Sequence, residues 1–161
     1  MTAIVMDGKA LAEKVRAKIA EDVAALGGLD LATVLVGDDP ASHIYIDLKH
    51  KAATAAGVHA VDVRMPGATS EADLLAKLDE LNNDDSVDAI LVQLPGPDHI
   101  SEDKVICAVA PEKDVDCFHP SNVGELTLGS ALLIPATALG VMEILAEYNV
   151  PLAGAEAEGG G

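Results

Sequence analysis

Aromatic residues are nearly absent: Tyr45, Tyr148 and Phe118 are all that 161 residues contain, with no tryptophan. The core must therefore be built from alanine, valine, leucine and isoleucine, and a tyrosine in so sparse a set is a candidate recognition surface. Cations are also scarce. Lys and Arg number 10 against 27 Asp and Glu, a formal charge of −17. Such a surface repels phosphate backbones and argues against nucleic-acid binding, and an anionic ligand would need local compensation. It fits an acidic solvated surface or adaptation to high salt. Two cysteines, Cys107 and Cys117, are too few for a disulfide framework, and no CxxC occurs. A reduced, cytoplasmic setting is the simpler expectation.

Other signatures are missing. The histidines at 43, 50, 59, 99 and 119 show no ligand spacing, which argues against a dedicated metal site. No run approaches the roughly 18 apolar residues of a membrane helix. Asp7, Lys9 and Glu13 interrupt any apolar run that a signal peptide would need. No Walker motif, GxGxxG or GxSxG is found, and Gly159-Gly160-Gly161 lacks the flanking strand and helix that phosphate cradles require.

What is present is a globular pattern. Half the residues are apolar, and the length fits one ordinary domain with a real core. Leu11, Val15, Ile19, Val23 and Leu26 make one stripe of a helix over 8–26, capped by Asp7 and ended by Gly27. Residues 31–36 read as a buried strand, and 41–56 as a helix stopped by Gly57. Val61, Val63 and Met65 alternate with Asp62 and Arg64 in a second strand. Ser70 opens a capping box before a third helix through Leu81. Residues 89–92 read as a third buried strand, and Ser101 caps a short helix to about Val109. A short fourth strand is expected over 114–118, a loop-rich stretch over 119–135, and a last helix from a Thr137 cap to about Asn149. Strands alternating with helices predict a three-layer αβα unit with a mostly parallel sheet. Residues 1–150 form one domain, and 151–161 read as a linker or tail.

One constellation carries chemistry. Tyr45 and Lys49 are four apart and share a helix face. An aromatic ring there can stack a flat ligand, and a lysine amine is a proton-transfer candidate because its pKa moves readily on burial. Gln93 leaves a buried run. Its amide can fix the Lys49 amine or tie down the Pro95-Gly96-Pro97 turn, in which one X–Pro bond could be cis. Asp116 can accept two parallel hydrogen bonds from an amino-pyrimidine edge, or pair with Lys113 or cap a turn. Ligands in parallel sheets sit beyond the carboxyl ends of the strands, where all four residues converge.

The order of these segments resembles the bifunctional methylenetetrahydrofolate dehydrogenase/cyclohydrolase family. The matching stretches are MDGKALAEKVR at 6–16, LATVLVGDDPASHIYIDLKHKAA at 31–53, DAILVQLPGPDHISEDKV at 88–105, PEKDVDCFHPSNVGELTLG at 111–129 and IPATALGVMEIL at 134–145. The resemblance implies a catalytic, tetrahydrofolate-binding domain. It implies that Tyr45 stacks on the pterin, Lys49 transfers protons, Gln93 supports Lys49, and Asp116 binds the pterin edge. It also implies one-carbon metabolism that serves purine biosynthesis. The family oxidises 5,10-methylenetetrahydrofolate with NADP, sometimes NAD, and hydrolyses the methenyl product to 10-formyltetrahydrofolate. It uses a second, Rossmann domain for the nicotinamide, and that domain is not expected here, so no cofactor-binding residue is assigned. Family members pair as homodimers mainly through that domain, which leaves a monomer open for this chain.

The departures from the family pattern are specific. Cys117 stands where the DVDG pattern has glycine, and Ala136 and Ala138 replace the Cys and second Pro of PCTP. A side chain at 117 is expected to disturb a backbone that only glycine adopts freely. A non-catalytic folate-binding module, or a fragment of a longer chain, is the alternative expectation.

Overall fold

The computed structural model describes residues 3–156 and 158. Among the described residues nine elements follow one another, strands and helices alternating as far as β3 and three helices closing the chain: α1 (Gly8–Leu26), β1 (Asp30–Val36), α2 (Pro40–Ala55), β2 (His59–Met65), α3 (Glu71–Asn82), β3 (Ala89–Val92), α4 (Glu102–Ala108), α5 (Pro120–Leu128) and α6 (Ala136–Glu147). The three strands form one parallel sheet in the order β2-β1-β3. Residues 159–161, which carry the glycine cluster, lie outside the described residues.

Register assigns the two faces. Ala32 pairs with Ile90, and Val34 with both Val92 and Val63. With Val36 these residues point to the larger core, which Leu74, Leu78 and Leu81 of α3 and Val105 of α4 complete. The opposite face carries Thr33, Leu35 and Leu91, and Ile46 of α2 packs there. Two-residue alternation along a strand produces this division.

Local chemistry sets the helix ends. The Asp7 carboxylate accepts from the Lys9 and Ala10 amides, and Gly27 ends α1 at φ +88°. Asp39 caps α2 through the Ser42 amide, which holds its carboxyl below the usual range. Ser70 caps α3 through the Asp73 amide. Tyr148 ties the end of α6 to the start of α1, its hydroxyl accepting from the Asp7 N–H at 2.7 Å.

Four expectations change. The fourth strand shrinks to a single bridge between Asp114 and Ile90, because the chain turns away through Cys117 at φ +58°. The loop-rich stretch contains α5, with Pro120 in its first turn and the His119 ring accepting from the Ser121 amide. Pro135, not Thr137, occupies the cap position of α6. Ser101 sits at the start of α4 without a side-chain cap bond; its amide instead donates to Glu71 at 2.9 Å.

Candidate functional site

The site forms where β1 and β3 end. β3 places Leu91 on the α2 face, and Gln93, two residues on, keeps that side. The Gln93 amide N–H extends the ladder by donating to the Val34 carbonyl at 2.8 Å. On α2, Lys49 extends towards it, and the Lys49 ammonium donates to Gln93 Oε1 at 3.3 Å. The other end of the amide donates to the Leu94 carbonyl at 3.0 Å, next to the cis Leu94–Pro95 bond. The Gln93 side chain thus contacts both Lys49 and the turn at once. A Cβ at Gly96 would meet open space, so crowding does not require glycine in this turn.

Asp116 arrives on the segment between α4 and α5. Its neighbour Asp114 is 5% exposed and accepts from the His119 amide at 2.8 Å and from Asn122 Nδ2 at 2.9 Å. Asn122 also donates to the Pro111 carbonyl at 2.8 Å. Asp114 is therefore the structural carboxylate of the pair. Lys113 bonds the Leu81 and Asp84 carbonyls, which leaves Asp116 without it as a partner. Burial pushes the Asp116 carboxyl above its ordinary range; Lys49 pulls it back, and Asp114 adds to the rise.

Cys117 occupies the left-handed region that costs a non-glycine residue about 1–2 kcal/mol. Its side chain is buried, and the thiol donates weakly to the Leu133 carbonyl at 3.4 Å. Burial first, then Asp114 and Glu125, pushes the thiol up.

Lys49, Gln93 and Asp116 line one cleft of about 420 Å³. Val92, Leu94 and Pro95 supply a wall, and Glu102, Phe118 and Thr137 complete it. Tyr45 does not line this cleft. Its ring is largely exposed, with the Lys49 ammonium 5.9 Å from its centre, at the outer reach of a cation–π contact. Phe118 and Thr137 join this lining without a ligand-binding pattern around them in the sequence. The scarcity of aromatics was the available signal for Phe118, and Thr137 was read as a cap. Glu102 carried no signal. Chemically the cleft offers an amine held by an amide, a half-buried carboxylate and an apolar wall. Among the described residues, no cluster of three His, Cys, Asp or Glu could hold a metal ion, and no helix is long and apolar enough to cross a membrane.

The model of the tetrahydrofolate dehydrogenase/cyclohydrolase catalytic domain matches residues 6–116. This chain belongs to the tetrahydrofolate dehydrogenase/cyclohydrolase family. It is 51% identical to the bifunctional protein FolD of Bordetella avium, over 98% of this chain and 57% of that protein. Against FolD 2 of Geobacter sulfurreducens the identity is 49%, over 96% and 55%. The crystal structure of FolD from Campylobacter jejuni superposes with a TM-score of 0.88 at 41% identity, covering 91% of this chain and 54% of that one. The Trypanosoma brucei enzyme, solved with NADP and an inhibitor, gives 0.88 at 35% identity, over 93% and 54%. The chain spans about half the length of the curated relatives it matches.

Proposed function

We propose that this chain is the folate-binding catalytic half of a bifunctional one-carbon enzyme, acting on 5,10-methylene- and 5,10-methenyltetrahydrofolate in the cytoplasm, with 10-formyltetrahydrofolate for purine biosynthesis as product. The meeting of Lys49, Gln93 and Asp116 in one cleft carries this reading. Residues 1–150 form the catalytic unit.

The arrangement suits the hydrolytic step. Asp116 anchors the amino-pyrimidine edge by accepting parallel hydrogen bonds. Tyr45 supplies a stacking face at the approach to the cleft. Water adds to the methenyl carbon and loses a proton to the Lys49 amine. The carbon–N5 bond then breaks as N5 takes that proton from Lys49 and the hydroxyl releases its remaining proton to solvent, leaving the formyl group on N10. Gln93 Oε1 keeps the amine aimed during both transfers. Proton transfer by a positioned side chain contributes about 10²–10⁴-fold. NADP serves the family's oxidation step. The described residues offer no glycine-rich turn between strand and helix for its pyrophosphate, so no step of this chain is routed through it.

Lys49→Met tests the reading, with methenyltetrahydrofolate loss followed by absorbance and ligand binding by calorimetry. Hydrolysis should fall to the uncatalysed rate while binding survives. Full turnover by this variant would sink the role of Lys49. A second reading, binding without turnover, draws on Cys117 beside Asp116 in the left-handed region. Wild-type binding with no hydrolysis above background would favour it.

A further inference from the structure

We infer that His50 is a positioning residue: it latches α2 onto the sheet through Thr33 and so sets the aim of Lys49. This rests on the proton-transfer role proposed for Lys49. His50 follows Lys49 by one residue, about 100° around the helix. Lys49 faces the cleft, and His50 faces the sheet. The Nε2 atom of His50 lies 2.5 Å from the Thr33 hydroxyl, in hydrogen-bond contact. Thr33 is 0% exposed on the central strand, flanked in register by Asp62 and Leu91. A hydroxyl so placed requires a partner, and His50 provides it.

The latch extends to the edge strand. His50 Nδ1 stands 4.0 Å from Asp62 Oδ2. Asp62 accepts from Arg64 Nε at 2.8 Å, and the same guanidinium donates to Asp47 of α2 at 2.6 Å. The apolar part of this interface is thin: among the described residues Ile46 is the one fully buried side chain of α2. The polar seam therefore controls how α2 rolls on the sheet. A side chain about 5–6 Å from the helix axis moves roughly 1 Å for a 10° roll. The Lys49–Gln93 bond is already long at 3.3 Å, so such a roll breaks it.

The experiment compares His50→Leu, His50→Gln, Thr33→Val and the His50→Leu/Thr33→Val double variant of the full chain with wild type. It follows methenyltetrahydrofolate hydrolysis and the NMR resonances of the Gln93 side-chain amide. His50→Leu and Thr33→Val should each lower kcat by about 10–100-fold, the sensitivity expected of a misaimed group. KM should stay within about threefold, and the double variant should be no worse than either single one. Gln at 50 can reach the Thr33 hydroxyl, so His50→Gln should recover kcat to within about threefold of wild type. The Gln93 amide should shift in His50→Leu and Thr33→Val but not in His50→Gln. Wild-type kcat with an unmoved Gln93 amide in the folded leucine or valine variant overturns the latch. So does a glutamine variant as impaired as the leucine one. Thr33→Val keeps the volume and carries the test if His50→Leu does not fold. A wild-type chain without hydrolysis defeats the Lys49 reading on its own. The latch is then judged by the Gln93 amide: a shift in Thr33→Val supports it, and no shift overturns it.

Discussion

Asn122→Ala removes two hydrogen bonds from the segment that presents Asp116. Asn122 Nδ2 donates at 2.9 Å to the buried Asp114 carboxylate and at 2.8 Å to the Pro111 carbonyl. A hydrogen bond to a charged group contributes about 1.5–3 kcal/mol, and an orphaned backbone carbonyl adds about 1 kcal/mol. The His119 amide still serves Asp114, which keeps the cost from rising further. The expected destabilisation is about 3 kcal/mol. With an m-value of about 2 kcal/mol/M in urea, the unfolding midpoint falls by about 1.5 M. Circular dichroism on the wild-type, Asn122→Ala and Ser121→Ala proteins measures it. The exposed Ser121 is a neighbour whose substitution should stay within about 0.5 kcal/mol. A shift below about 0.3 M for Asn122→Ala, roughly 0.6 kcal/mol, refutes the claim that this knot holds the segment.

Two further predictions concern the cleft and its approach. Tyr45→Ala should weaken folate binding by roughly tenfold in calorimetry, since stacking on an aromatic face contributes about 1–3 kcal/mol; the exposed ring makes little difference to stability. Asp116→Asn should stabilise the ligand-free protein at neutral pH while weakening pterin binding. The sign follows from burial: the Asp116 carboxyl lies above its unfolded value in the fold, so ionisation costs stability as pH rises through that raised value. The advantage of the variant should disappear in acid, below the unfolded carboxyl value near 3.8, where the wild-type group is neutral in both states. Denaturation midpoints across the acid range check it.

The sequence made the layers legible because their causes are local. The strand at 89–92, the stripe on α1 and the caps at Asp7 and Ser70 are written in neighbouring residues. The i,i+4 spacing likewise foretold that Tyr45 and Lys49 share a face. What failed depended on where the folded backbone turns, which residue type and spacing alone do not give. α5 was hidden by Pro120 and Gly124, and its start depends on a histidine cap and on Asn122 reaching back to Asp114. The fourth strand looked plausible from Val115 and Phe118, but pairing ends where Asp114 turns inward. Thr137 suits a cap by type, yet the backbone enters α6 two residues earlier at Pro135. The His50–Thr33 contact crosses from helix to strand, and no spacing rule announces it.

The parity of β3 has a consequence for how this chain tolerates insertions. Gln93 reaches α2 because it lies an even step beyond Leu91 on a strand of only four residues. One residue inserted after Ala89 would swing the amide to the face of α3 and α4, among leucines that offer it no partner. Two inserted residues would restore the side but displace the turn that follows. The strand thus behaves like a reading frame, and length changes that surface loops absorb erase the site here.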